Sequence, residues 1–392
     1  MFNSFIDICQ VAFWEKNAGN CFVVDHDIKN FPAKHKYVIL TIDVPKETLK
    51  KVKEEYQLDD IFCFVPKKIL LQRGIRKVMY DMKLPIPYSM LRPYKYSKKA
   101  KKFIYDYCKS KGAEVIQCEY IWHADLLDFV FQDKSTTALL DTHDVQSNFT
   151  SCLKKNFGRV KNFVKEKDEI KIIKKFDYVL SVSHNDQEYF AKYLENGKHS
   201  CYLPVTTVKE GYSFFEKERH EKFSIGFLAG LSDFNLDAIT WFVKNVFTKL
   251  PEPSKYVLNV YGSVCKGLDT YKADNIILHG FVKDPADIYK ANDMMVNTTF
   301  QIGGIKIKCV ESLYYNTPVL TTPMGARGLE GALARGGLFS FSEPNEFISF
   351  LESMDEEKLT KAREACFISM KEDFSDNMIT DFYQMISDER SK

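Results

Sequence analysis

Residues 294–322 of this 392-residue chain limit its fold more than any other stretch. A β-rich run, Met294-Met295-Val296-Asn297, leads into Gly303-Gly304-Ile305-Lys306-Ile307-Lys308-Cys309-Val310-Glu311-Ser312-Leu313, and a second β-rich run, Pro318-Val319-Leu320-Thr321-Thr322, follows. Strand, glycine turn, amphipathic helix and strand make a βαβ unit, the building block of a parallel sheet. The paired glycines let the backbone approach a ligand closely. The first helical N–H groups then point outward with the positive end of the helix dipole behind them. An anion is the expected guest, most naturally a phosphate. Lys306 and Lys308 add positive charge beside it, and Glu311 lies about two turns along the same helix, within reach of a neighbouring hydroxyl. The same pattern would also serve an ordinary glycine-capped helix with solvated lysines.

The surroundings extend the pattern. Phe223–Leu228 reads as a strand, 230–235 as a turn with capping residues, and 236–250 as a helix with Ile239, Phe242, Val243, Val246 and Phe247 on one side. Tyr256–Tyr261 is the next strand, closed by Gly262-Ser263. A short strand at 276–278 leads into His279-Gly280-Phe281-Val282-Lys283-Asp284 and a helix at 285–291. Strands alternating with helices over 223–341 predict an α/β, doubly wound parallel sheet.

Four segments in this half resemble the group 1 glycosyltransferases of the GT-B fold, and they occur in family order. They are Gly-Phe-Leu-Ala-Gly-Leu with Asn-Leu-Asp-Ala-Ile-Thr-Trp-Phe, Val-Tyr-Gly-Ser, His-Gly-Phe-Val-Lys-Asp, and the Gly303–Leu313 stretch with Thr-Pro-Val-Leu-Thr-Thr-Pro-Met-Gly-Ala-Arg-Gly-Leu. The resemblance is to family 4-like members and covers residues 223–329 well, extending weakly back to residue 113. It implies two Rossmann-like domains facing a cleft, and a sugar moved from a nucleotide diphosphate to a glycan or lipid-linked acceptor in surface polysaccharide or glycoconjugate synthesis. A UDP- or GDP-linked donor is expected as substrate, with no separate cofactor. Carried over by position, the backbones of Gly303, Gly304 and Ile305 with Lys306 or Lys308 hold the phosphates. Glu311 binds the ribose, Gly262 lets the nucleotide pass, and Phe281-Val282 contacts the base through the backbone.

The resemblance further implies retention at the anomeric carbon and hexosyltransferase-like chemistry. No Asp-x-Asp appears in a turn suited to a metal, so transfer is expected to be metal-independent. Two departures stand out. The family commonly has a glutamate eight residues before the ribose ligand, where this chain has Gly303. The family also places Arg and Lys in the loop after the first strand of the second domain, where 230–235 has neither. Charge neutralisation then falls on Lys306, Lys308 and Arg327. Asp233, in that loop, could act as base or nucleophile, or cap the helix. These departures keep open an alternative, a non-catalytic GT-B-like protein that binds a nucleotide sugar or a partner.

The first half is less legible. Runs at 21–25, 37–42 and 61–65 read as buried strands, with a charged helix at 45–57. The family's opening glycine-rich turn has only Asn17-Ala18-Gly19-Asn20 to match it. Runs at 113–120 and 138–142 read as parallel strands, and ligands bind at strand ends in such sheets. The second ends in Asp141-Thr142-His143-Asp144, which resembles the family segment whose histidine faces the transferred sugar. His143 is therefore the candidate contact to donor or acceptor hydroxyls, with a turn role as its alternative. Residues 176–182 read as the last strand of the first domain.

Two basic runs, 94–111 and 154–167, interleave lysines with aromatic and aliphatic residues. They would suit peripheral contact with an anionic membrane, or the solvated face of a packed helix. The domain plan expected is 1–205, a linker at 206–222, a nucleotide-sugar domain at 223–372, and a helix at 373–392 returning to the first domain. Net charge is only +2, which argues against nucleic acid as a partner. Ten cysteines without a CxxC read as reduced, buried thiols of a cytoplasmic protein. Met1–Gln10, with Asp7 inside it, does not read as a signal peptide.

Overall fold

A computed structural model of the chain describes residues 1–15, 19–148, 163–195, 198–206, 208, 211–217, 221–268, 273–300 and 304–391. Gly303, Asn17-Ala18 and most of the 154–167 basic run lie outside the described residues. The chain divides into two compact units, Met1–Thr206 with Asn377–Lys392, and Thr207–Asp376. Among the described residues no helix is long and apolar enough to cross a membrane.

Among the described residues the first unit holds seven parallel strands: β1 (Phe2–Cys9), β2 (Ala33–Leu40), β3 (Asp60–Cys63), β4 (Val115–Glu119), β5 (Thr137–Asp141), β6 (Tyr178–Ser181) and β7 (His199–Tyr202). Their order is β3-β2-β1-β4-β5-β6-β7, so the winding reverses between β1 and β4. The central strands β1, β4 and β5 are buried almost throughout, as strands covered on both faces must be. On one face Phe5, Val115, Leu139 and Leu180 pack against Ile379, Phe382, Tyr383 and Ile386. Those four come from the C-terminal helix Asn377–Arg390, which completes this unit's core.

Among the described residues the second unit holds six parallel strands: β8 (Phe223–Leu228), β9 (Tyr256–Tyr261), β10 (Ile276–Gly280), β11 (Met294–Asn297), β12 (Val319–Thr321) and β13 (Leu338–Ser340). Their order is β10-β9-β8-β11-β12-β13, which puts the reversal between β8 and β11. Ile225, Phe227, Leu258, Val260, Met294, Val296 and Leu320 form its core with Ile239, Phe242, Val243 and Phe247.

Several expectations change here. Residues 21–25 lie in the helix Gly19–Asn30, whose buried Cys21, Val24 and Ile28 recur at helical spacing. The opening strand is β1 instead. The 94–111 run is helical only over Lys98–Ser110, where Ser97 caps Ala100 N. Ile104 and Cys108 enter the core, and Phe103 stacks on Phe64 with centroids 5.2 Å apart. The solvated face of a packed helix therefore describes this run. Within 206–222, Phe215 and Lys217 are fastened to the second unit. Phe215 N donates to Asn316 Oδ1 at 2.6 Å, and Lys217 Nζ donates to Tyr289 O and Thr317 Oγ1.

Candidate active site

The reversal between β8 and β11 leaves a crevice where adjacent loops diverge, the usual ligand position in an open α/β sheet. Two segments flank it, 229–232 after β8 and, after β11, the described residues 298–300 and 304–306. The second feeds the helix Ile307–Tyr314, whose N-cap is Lys306. The helix thus starts two residues later than its sequence suggests. Cys309 N and Val310 N already bond back to Lys306 O. The first-turn amides are therefore those of Ile307 and Lys308, not of Gly304 and Ile305. Gly304 and Ile305 are buried in the approach to the helix, and Lys306 Nζ donates to Gly304 O at 3.1 Å.

Lys308 turns from the helix toward the first loop. Its Nζ donates to Asn235 Oδ1 at 3.2 Å and lies over the Phe227 ring, 5.8 Å from the centroid. Asn235 is itself fixed, since its Nδ2 donates to Gly230 O at 2.8 Å. Burial pulls the Lys308 ammonium down to about 8, against the opposing pull of Cys309 and Glu311. A half-desolvated cation held by a neutral amide is set to receive an anion. Glu311 follows one turn later. Its Oε2 accepts from Tyr289 Oη at 2.9 Å, and Tyr289 stacks on Tyr315 with centroids 5.0 Å apart. Burial pushes the Glu311 carboxyl up, while Tyr289 and Lys308 pull it down. One carboxylate oxygen is oriented by the phenol, and lone pairs remain for further hydroxyls.

The turn after β9 needs its glycine. Gly262 has φ +88°, and a Cβ there would meet Ala229 O at 2.3 Å. Its N–H donates to Gly280 O at 2.6 Å, which ties this turn to the end of β10. Past Gly280, Phe281 is 87% exposed, while Val282 packs toward Tyr261, Ile288 and Tyr289. Arg327 follows the short helix Pro323–Ala326 and is partly buried. Asp233 is not the helix cap. Ser232 is, with its Oγ accepting from Asn235 N at 3.3 Å, and Asp233 is the exposed first residue of the helix Asp233–Asn245.

His143 departs most from expectation. It lies in the first unit, 6% exposed, in a turn with φ +57°. Its Nε2 is 2.6 Å from Glu119 Oε2, and its ring stacks on Tyr120 at 4.0 Å. The turn folds the imidazole inward onto a buried carboxyl, so the ε nitrogen is not offered to a sugar. The structure therefore brings Lys306, Lys308 and Glu311 together on one helix. Sequence reasoning misses the residues that aim them: Asn235 reads only as part of a capping turn, and Tyr289 as part of a short helix.

The family model described as "Glycosyl transferases group 1" matches residues 222–354. No curated protein matches the chain in sequence. Among solved structures, Anabaena HepE in complex with UDP and glucose superposes with TM-score 0.62 at 14% identity, covering 99% of each chain. An S. aureus TarM variant in complex with fondaparinux, α-GlcNAc-glycerol and UDP gives TM-score 0.65 at 9% identity, over 98% of this chain and 99% of that one. Sucrose-phosphate synthase from Thermosynechococcus elongatus gives 0.67 at 11% identity, over 98% of both. At such identities these likenesses speak for the fold. With its two parallel sheets the chain has the GT-B architecture of these structures, and residues 222–354, in the second unit, are similar to the group 1 glycosyl transferases.

Proposed function

We propose that the chain transfers a sugar from a UDP- or GDP-linked donor to a glycan or lipid-linked acceptor, with retention and without a catalytic metal. The observation that carries this reading is the constellation on the helix Ile307–Tyr314. The first-turn amides of Ile307 and Lys308, the Lys308 ammonium held by Asn235 and the Glu311 carboxylate oriented by Tyr289 share this helix, with Lys306 at its N-cap. In such a site the dipole and the two ammonium groups stabilise the departing diphosphate, whose charge grows as the glycosidic bond breaks. Glu311 fixes the ribose and so the register of the donor. UDP is favoured because HepE and TarM are described in complex with it.

The test is a panel of UDP- and GDP-linked sugars, scored by release of free nucleotide. Wild type should release nucleotide slowly from its own donor. Glu311→Ala should weaken donor affinity by about 10- to 100-fold, the worth of a hydrogen bond to a charged group. Tight binding without release from any donor, with or without acceptor glycans, would instead favour the non-catalytic alternative.

Contact with an anionic membrane, placed by sequence on the 94–111 and 154–167 runs, finds better support elsewhere. The helix Lys67–Asp81 and its C-cap Met82 carry Leu71, Ile75, Val78 and Met82, spaced i, i+4, i+7 and i+11 on one stripe. All four are exposed, Leu71 at 65% and Met82 at 64%, and exposed Leu70 and Leu84 extend the patch. Lys67, Lys68, Lys77 and Lys83 are exposed around it. An apolar stripe edged by ammonium groups fits an acidic lipid surface. The protein should co-sediment with phosphatidylcholine vesicles containing phosphatidylglycerol and not with phosphatidylcholine alone. The double change Leu71→Glu, Val78→Glu should cut that binding at least about tenfold while leaving turnover with a water-soluble acceptor intact. Unchanged sedimentation would exclude this helix as the contact. Self-association that the double change abolishes, without vesicle binding, would mean that the stripe meets a second copy of the chain.

A further inference from the structure

Three adjacent strands of the first unit present acids on one face. Register sets Asp7 beside Gln117 and Glu119 beside Asp141, so these four side chains leave the sheet on the same side. The face is divided. Its apolar half, with Phe5, Val115 and Leu139, lies under the C-terminal helix. Its acidic half gathers Asp7, Glu119 and Asp141, joined by Asp27 from the helix Gly19–Asn30 and by His143 from the turn after β5. All five are buried. Gln117 Nε2 donates to Asp27 Oδ2 at 2.8 Å and to Glu119 Oε1 at 2.7 Å. His143 Nε2 lies 2.6 Å from Glu119 Oε2 and 4.0 Å from Asp141 Oδ1. One ligand atom from each of Glu119, Asp141 and His143 falls within 4.8 Å of the other two.

A separate observation comes from Asp7. It is 1% exposed, and among the described residues its carboxyl oxygens meet no well-aligned donor, only the neighbouring Cys9 thiol and the Glu119 carboxyl. Its charged neighbours are Glu119 and Asp27, so the carboxyl is turned into the same cluster, where burial and those two acids push its pKa well up. Gln117 Oε1 is without a partner there. Four buried carboxyls around one imidazole cannot all stay ionised in a low-dielectric interior. Either protons or a cation must offset them. A proton shared between Asp7 and Glu119 would satisfy one oxygen of each, whereas a cation would offset two charges at once and use the lone pairs that remain.

We propose that this cluster is a structural site for a divalent transition-metal cation, with Glu119, Asp141 and His143 as ligands and the Asp7 carboxylate turned toward the ion. Carboxylates with one imidazole suit Mn2+ or Zn2+ better than Ca2+ or Mg2+, which prefer oxygen alone. The ion would neutralise the acidic half of the face and clamp β1, β4 and β5 together. It is separate from the sugar-transfer chemistry assigned to the second unit, so either reading can fail alone.

Because every ligand is buried, the ion enters as the chain folds. Full-length protein should be produced in minimal medium with and without added Mn2+ or Zn2+, dialysed against a chelator, and assayed for metal by mass spectrometry and for thermal unfolding. The loaded protein should retain one equivalent per chain and melt about 5–10 °C above the metal-starved protein. Asp141→Asn and His143→Gln, which keep size and hydrogen-bonding capacity, should each lower retained metal at least about tenfold. Wild type that retains no stoichiometric metal and melts at one temperature from both media would overturn the proposal, leaving shared protons as the remedy. An equivalent that persists in the Asp141→Asn, His143→Gln double variant would overturn it too, since the ion would then lie elsewhere.

Discussion

Replacing Lys308 by alanine is expected to lower kcat/KM for sugar transfer by roughly 100- to 1000-fold, the usual loss when one preorganised partner of a developing anion is removed. The side chain is held by Asn235 at 3.2 Å and is already partly stripped of water, so its charge is placed before the donor arrives. The change deletes no core packing on the sheet side of the helix, where Cys309, Val310 and Leu313 are buried. The melting curve should therefore stay close to wild type while initial rates collapse. The same residue sets a pH dependence. Burial depresses its pKa to about 8, so the ammonium is present below that value and lost above it. Donor affinity should fall as pH rises from roughly 7 to roughly 9. Lys308→Arg, charged throughout that range, should flatten the fall. A wild-type affinity that is level over the range would mean that Lys308 does not meet the diphosphate.

Gly262→Ala should cost stability. The residue sits at φ +88°, where an L side chain is strained, and the new methyl would press on the Ala229 carbonyl from 2.3 Å. That carbonyl is main chain at the end of β8, and it also accepts from Val264 N at 3.2 Å, so it cannot simply swing away. Strain and displacement together should cost about 2–4 kcal/mol in denaturant unfolding. The damage lands on the loop that flanks the proposed donor site, so donor affinity should drop as well. A midpoint within experimental scatter of wild type would show that the turn can relax at little cost.

The second unit was legible because its strands obey local rules. Phe223–Leu228, Tyr256–Tyr261 and Met294–Asn297 are observed with the bounds their apolar runs suggest. Fully buried parallel strands read as short apolar blocks, and glycine or proline ends them. The first unit hides the same architecture. Strand β1 carries Asp7, a polar residue that breaks the apolar block, because its face becomes part of the acidic cluster. Cys21-Phe22-Val23-Val24 is rich in strand formers but becomes helix under tertiary packing. The helix Lys67–Asp81 escaped notice because its apolar stripe faces outward, and periodicity alone cannot tell an exposed stripe from a buried one.

The site divides in the same way. Lys306, Lys308 and Glu311 share one short helix, so their juxtaposition follows from spacing. Asn235 and Tyr289 reach that helix across 73 and 22 residues of chain, and no local pattern announces them. For His143 the deciding fact was a left-handed turn, φ +57°, which a sequence does not display.

The helix Asn377–Arg390 belongs to the core of the unit that begins the chain. During synthesis, its residues leave the ribosome only after the roughly 170 residues of Thr207–Asp376. At usual elongation rates that is a wait of roughly ten to thirty seconds. Through that interval Phe5, Val115, Leu139 and Leu180 lie bare, a sticky wall awaiting its last tile. A nascent chain stalled short of residue 377 should accordingly be a chaperone client and not a finished half-enzyme.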